Sequence, residues 1–338
     1  MASDPDDEDR LRSRLAAVDA ALVARASEDA SMPFHSTAYR RLTDDFRPRL
    51  RALILLLVAE AVRSGRAFET VESDGTQSFT PAGLAVEFAH AHAATHASLT
   101  AGSRGSAGGQ YGEDARDVSE TILIGDFFLS RAFELLLETD CPPDVRRAYL
   151  RRLAAASRQV CETRAADVSS SSEAVDSGKI TDAVRSGRRL PRHGSFLDVA
   201  AEIGALLGGG DDRTVEAAAA FGESFADGLR LLVEYFASRS TASNSGGGSY
   251  PSPSAPSVDD FREPSAPLSM KPSGTGSNAL SSDGDAPSDA SEAVPRQARL
   301  HLTSARKRLE AFPESTATGL LEKLATVEVL GRFLRSAE

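Results

Sequence analysis

Two stretches of the chain carry carboxylates at a spacing that could hold a metal ion. Glu113-Asp114-Ala115-Arg116-Asp117 and Asp259-Asp260-Phe261-Arg262-Glu263 each place acids four residues apart. On a helix such acids lie one turn apart on one face, and their oxygens can converge on hydrated magnesium. The first string stands at the expected start of a helix, where acids favour the macrodipole, and reads as capping. The second lies in Ser-, Pro- and Gly-rich text that offers no rigid helix to aim the oxygens, and reads as solvated charge. His92 and His96 are also one turn apart, a spacing that suits transition-metal ligands, yet no cysteine or acid cluster near them in the chain completes a site. Cys141 and Cys161 form no metal or redox spacing and are too few for a disulfide framework. The residues by themselves assign no catalytic group and no metal.

The elements that would position these residues read as helices throughout. A chain of 338 residues with 41% hydrophobic content can build a sizeable core, and its Ala-, Leu- and Arg-rich text shows no strict alternation of apolar and polar residues, which predicts an all-α fold. The acidic start, residues 1–10, reads as a disordered tip. A helical domain over residues 11–237 opens with Leu11, Leu15, Val18, Leu22 and Val23 in helical period. Helices are expected over 49–62, 81–99 (capped by Thr80, with Pro81 at the first position), 114–137, 143–168, 180–185, 195–207 and 214–237. Ser169 to Ser172 is expected to end the fourth of these, and Asp211 with Asp212 to cap the last. Residues 238–295 are Ser, Gly, Pro and Asp with scarcely any apolar period, which predicts a disordered insertion. Residues 296–338 return as closing helices of the same domain, with Pro313 at their turn.

A formal charge of −11 and a pI near 5.2 oppose a nucleic-acid role, which needs clustered cations that outweigh the local acids. The excess of acids, together with Arg far outnumbering Lys, looks like the composition of a salt-adapted microbial protein. The longest apolar run, Ala52 to Ala59, ends at Glu60 and is about half the ~20 residues of a membrane helix, so no membrane span is predicted. The acidic N-terminus lacks the basic and apolar regions of a signal peptide, and cytoplasmic residence is expected.

Several strings in order resemble one family. Gly125-Asp126-Phe127-Phe128-Leu129-Ser130-Arg131-Ala132-Phe133-Glu134-Leu135-Leu136 is similar to the G-D-x-L-L-x-x-A-F-E-L-L helix of the trans-isoprenyl diphosphate synthases (polyprenyl synthetases). Arg49-Leu50-Arg51 is similar to that family's G-G-K-R-x-R-P entry, and Glu87-x-x-His90 with His96 to its E-x-x-H-x-x-x-x-x-H-D-D helix. Phe221-Gly222 before a long apolar helix, and Leu309-Glu310-Ala311-Phe312-Pro313-Glu314-Ser315 near the close, complete the resemblance, which covers residues 11–237 and 296–335. It implies an all-α bundle around a central cavity, in which such enzymes condense an allylic diphosphate with isopentenyl diphosphate. It also implies two D-D-x-x-D magnesium motifs. Where they belong, this chain reads Ala97-Ser98-Leu99-Thr100-Ala101 and Val233-Glu234-Tyr235-Phe236-Ala237, with Glu234 the sole acid. The family's G-G-K appears as Phe46-Arg47-Pro48, and the K-T pair of its middle helix as Arg192-His193.

On this resemblance Arg49, Arg51 and His90 match positions that bind isopentenyl diphosphate, and Arg104 matches the end of an R-R-G triplet. They form either a remnant diphosphate site or ordinary surface arginines. Without carboxylates to hold magnesium, no cofactor and no catalytic residue is expected. The leading expectation is a catalytically silent member of the family, paired as a homo- or hetero-oligomer with an active prenyl synthase. One alternative is an active prenyltransferase that uses displaced acids (Glu113, Asp114, Asp117 and Glu234). Another is an isoprenoid or lipid binder, which a cleft plugged by Phe127, Phe128 or Phe236 would exclude.

Overall fold

The computed structural model describes residues 5–29, 33–45, 48–64, 79–102, 113–176, 196–244 and 288–335. Among them regular structure is entirely helical: α1 Pro5–Glu28, α2 Pro33–Asp45, α3 Leu50–Ser64, α4 Thr80–Gly102, α5 Glu113–Glu138, α6 Pro143–Asp176, α7 Leu197–Leu207, α8 Asp212–Asn244, α9 Ser288–Arg308, α10 Thr316–Leu324 and α11 Val327–Arg335. The all-α expectation holds. The expected helix over 180–185 lies outside the described residues.

The apolar text of α3 makes it the central element. Eleven of its residues, from Leu50 to Val62, are buried, as expected of a helix that is apolar on all sides. One side, with Ala52, Leu55, Leu56 and Ala59, packs into a core shared with α1, α2, α4, α5, α6 and α7. The other, with Leu53, Ile54, Leu57, Val58 and Ala61, packs into a second core shared with α8, α9, α10 and α11. Helix α7 divides in the same way, with Val199, Ala200 and Ile203 toward the first core and Leu197, Ala201 and Ala205 toward the second. The α3–α7 pair is therefore the wall between two half-cores. α7 packs on α8 to one side and touches α4 on the other.

Small residues set how closely that wall is built. A methyl group at Gly204 would stand 2.5 Å from the carbonyl oxygen of Leu55, and one at Gly222 on α8 would run into the backbone of Leu197 and Asp198. In both places the obstacle is main chain, which cannot swing aside.

Four boundaries differ from the sequence expectation. The acidic start is helical from Pro5. Asp6, Asp7 and Glu8 lie in its first turn, Arg10 and Arg12 pair with acids one turn back, and Lys323 and Arg332 reach Asp7 and Glu8 from the end of the chain. The acids thus complement the helix dipole and tie α1 to α10 and α11. Helix α6 runs through Ser169 to Ser172 to Asp176, since serine costs a helix only a few tenths of a kcal/mol (~0.5) relative to alanine. Both ends of the segment expected as an insertion are helical, because α8 continues to Asn244 and α9 begins at Ser288, before Pro295, and residues 245–287 lie outside the described residues. The closing helix splits into α10 and α11 around Ala325. The expected Asp211 cap is present, its Oδ1 accepting from Thr214 N at 2.9 Å, and Ser315, which the sequence reading did not single out, caps α10 by accepting from Thr318 N at 3.1 Å.

Gly204→Ala should lower stability by about 1–3 kcal/mol through overpacking against main chain. Gly319→Ala in α10, where nothing lies within 4 Å, should raise it by up to ~1 kcal/mol. Thermal melts of the two variants check this, and a Gly204→Ala protein as stable as the parent would contradict the close α3–α7 contact.

Candidate functional site

The buried start of α3 needs partners for its first backbone N–H groups. Leu50 N donates to the Pro48 carbonyl at 2.8 Å, whereas Arg51 N and Ala52 N both donate to Glu87 Oε1, at 2.9 and 3.0 Å. Glu87 belongs to α4 and is fully buried. Its other oxygen, Oε2, accepts from the Arg51 guanidinium at 3.2 Å. One carboxylate thus caps α3 and neutralises Arg51. Burial pulls the Arg51 pKa down from its ordinary value and the Glu87 charge opposes that shift; an arginine remains charged at neutral pH regardless.

Arg49 is equally committed. It is 1% exposed, donates to the Leu42 carbonyl at 2.5 Å and lies 3.4 Å from Asp19 of α1. His90, one turn beyond Glu87, is buried with its ring edge-on to Phe196 at 6.5 Å between centroids. Arg49, Arg51 and His90 therefore gather around the α3–α4 contact, and the two arginines are not surface residues. Arg104, Arg47, Arg192 and His193 lie outside the described residues.

The positions matched to the magnesium motifs lie on the last turns of α4 and in the second half of α8. Ser98 donates its hydroxyl to the Thr95 carbonyl at 2.7 Å. Val233 is exposed, Tyr235 is buried, and Glu234 accepts from Arg230 one turn back at 2.9 Å. A single carboxylate already paired with an arginine does not fit a magnesium ion, which binds through oxygen ligands and carries strongly held water. The residues present do not fit the family's metal.

A cleft of about 340 Å³ opens between α6, α7 and α8, lined by Arg152, Gln159, Asp198, Glu216 and Glu223 among others. Arg152 is held by Glu202 at 2.5 Å and by Asp198 at 3.6 Å. Burial raises the Glu202 pKa and Arg152 draws it back. Acids outnumber the one cation in this lining, a poor receptor for a diphosphate without metal.

The phenylalanines considered as plugs are core residues. Phe128 is fully buried with its ring edge-on to Phe88, and Phe127 packs among Phe34, His35 and Tyr39. Phe236 is partly buried beside Tyr235. The Tyr39 hydroxyl donates to Asp29 at 2.5 Å, and burial, reinforced by that carboxylate, raises its pKa to about 12.

Packing brings a carboxylate beside His92 and His96 that is distant from them in sequence. Asp126 of α5, thirty or more residues away in sequence, stands beside them, with one ligand atom from each of the three residues within 4.8 Å of the others. The signal was present in the Gly125-Asp126 string, because a methyl group at Gly125 would run into the His96 ring. Its glycine is what lets α5 approach His96.

Glu87→Gln keeps a cap acceptor but leaves the buried Arg51 charge uncompensated, and should cost about 3–5 kcal/mol. Adding Arg51→Met to it should restore most of that loss. Denaturant unfolding of the single and double variants measures both, and a Glu87→Gln protein of unchanged stability would contradict the paired-cap geometry.

No family model matches the chain. It is 25% identical to the geranylfarnesyl diphosphate synthase of Natronomonas pharaonis over 312 residues, 86% of this chain and 87% of that one. It is 26% identical to the geranylgeranyl diphosphate synthase of Methanosarcina mazei over 223 residues, 66% of this chain and 64% of that one. Among solved structures it is similar to the geranylgeranyl pyrophosphate synthetase of the archaeon Geoglobus acetivorans, with a TM-score of 0.63 at 19% identity over 96% of this chain and 98% of that one. A second, from Pyrococcus horikoshii, gives 0.60 at 16% identity, again over 96% and 98%. Among the described residues no helix is long and apolar enough to cross a membrane. With motifs in family order, relatives aligned over most of the chain and the same helical fold, this chain is similar to the trans-isoprenyl diphosphate synthases.

Proposed function

We propose that this chain is a catalytically silent polyprenyl synthase homologue that acts as a partner or regulatory subunit of a motif-bearing synthase. The observation that carries the reading is chemical. Ionising an allylic diphosphate requires metal-held pyrophosphate, and the matched positions offer Ala97, Ser98, Ala101, Val233 and Ala237 with one arginine-paired glutamate. Two of the arginines that could bind a diphosphate are already engaged, Arg51 by Glu87 and Arg49 by Asp19 and the Leu42 carbonyl. Any remnant anion site at Arg49, Arg51 and His90 would have to displace those partners.

The subunit half of the reading is supported by α5. Its inner side packs on α4, while Val118, Ile122, Leu123 and Leu137 are 40–57% exposed along the other. Val23 of α1 is also exposed, two residues from Arg25, which pairs with Glu138 at the end of α5. An apolar stripe of this kind is the surface a second helical subunit would cover.

The names of the relatives favour a second reading, an active prenyltransferase. It would have to use acids away from the matched positions, such as Glu113, Asp114 and Asp117 at the start of α5.

With isopentenyl diphosphate, an allylic diphosphate and saturating magnesium, the purified chain should form no product. Loss of one placed electrostatic stabiliser already costs ~10² to 10³ in rate, and here nearly all are missing. Added to a motif-bearing synthase, it should raise the rate above that of the synthase alone. Product from the chain alone, abolished by combined Glu113→Gln, Asp114→Asn and Asp117→Asn, would establish the second reading instead.

A further inference from the structure

We infer that His92, His96 and Asp126 form a binding site for a divalent transition ion of the zinc class, which clasps α4 to α5. Two imidazoles and a carboxylate are a donor set suited to zinc, cobalt, nickel or iron(II), and not to magnesium, which prefers oxygen. The ligand atoms lie within 4.8 Å of one another. His96 Nε2 and Asp126 Oδ1 are 3.5 Å apart, close to the ~3.3 Å edge of a tetrahedron built on zinc bonds of ~2.0–2.1 Å.

The hydrogen bonding around the cluster points the same way. His92 Nδ1 lies 3.0 Å from the Gly125 carbonyl oxygen. A carbonyl only accepts, so Nδ1 carries the proton and Nε2 keeps its lone pair, the arrangement by which an outer hydrogen bond orients a metal-binding histidine. His96 Nε2 is buried and makes no hydrogen bond among the described residues. Its contact with Asp126 is too long and loose to count as one, yet it suits two ligands of a common ion. The imidazoles lie 4.5 Å apart between centroids. His92 is buried, whereas the Asp126 side chain is 61% exposed and that of His96 35%, which leaves an entry path and room for water at a fourth coordination position. The site is independent of the silent-subunit reading, since none of its three ligands is a position matched to the magnesium motifs.

The full chain, stripped with a chelator and titrated with Co²⁺, should bind one ion per molecule with an intense tetrahedral visible spectrum that Zn²⁺ bleaches. Zn²⁺ should also raise its melting temperature. His96→Gln and Asp126→Asn should each weaken binding at least tenfold, while His35→Gln and His301→Gln leave it unchanged. Gly125→Ala, which keeps all three ligands but pushes the His96 ring away, should weaken it comparably. Melts without metal show whether each variant is folded. Absence of saturable Co²⁺ binding, or binding that survives both ligand substitutions, would overturn the proposal.

Discussion

A helix buried on every side must have its end groups satisfied from inside the protein, and α3 meets that requirement through a residue from another helix. Arg49, at its N-terminal boundary, has no side-chain acceptor to offer, so the amides of Arg51 and Ala52 turn to Glu87 of α4. The carboxylate is favoured there by the positive end of the helix dipole and by the Arg51 guanidinium. The angle and register of α4 on α3 follow from this contact. α7 then packs on α3 at glycine distance, α8 packs on α7, and the closing helices complete the second half-core. Buried ion pairs contribute more to specificity than to net stability in some proteins. Here the pair joins α3 to α4, the helix whose buried residues include Glu87, His90, His92 and Thr95.

The same contact shapes the functional proposal. Cations that the family resemblance assigns to diphosphate binding are held by protein carboxylates and a carbonyl, and the positions matched to the metal motifs hold mostly small or apolar side chains. The bundle can lose those carboxylates without losing its fold because they are not part of either half-core. Val233 and Glu234 are exposed on α8, and Ala97 and Ser98 lie at the end of α4 beyond its most buried stretch. The fold is retained and an apolar stripe on α5 remains, which is the combination a non-catalytic subunit would need.

Much of the architecture was legible from periodicity and composition. The apolar run of α3, the Thr80–Pro81 start of α4 and the Asp211 cap announce themselves locally. Contacts between distant residues were not legible. Glu87 could be quoted as part of a motif, but its task depends on the orphaned amides of a helix 36 residues earlier. Asp126 could not be linked to His92 and His96 because only the packing of α5 against α4 joins them. The helical start at Pro5 was missed for a related reason: its acids look like a solvated tip until Lys323 and Arg332, more than three hundred residues away, are brought beside them.

Calorimetric titration of the full chain with pyrophosphate and magnesium tests most directly whether its arginines are committed to the fold and its metal positions lost. The account predicts no saturable binding up to millimolar concentration. Magnesium-dependent binding in the micromolar range, weakened by Arg49→Gln or by Arg51→Met in the Glu87→Gln background, would contradict it.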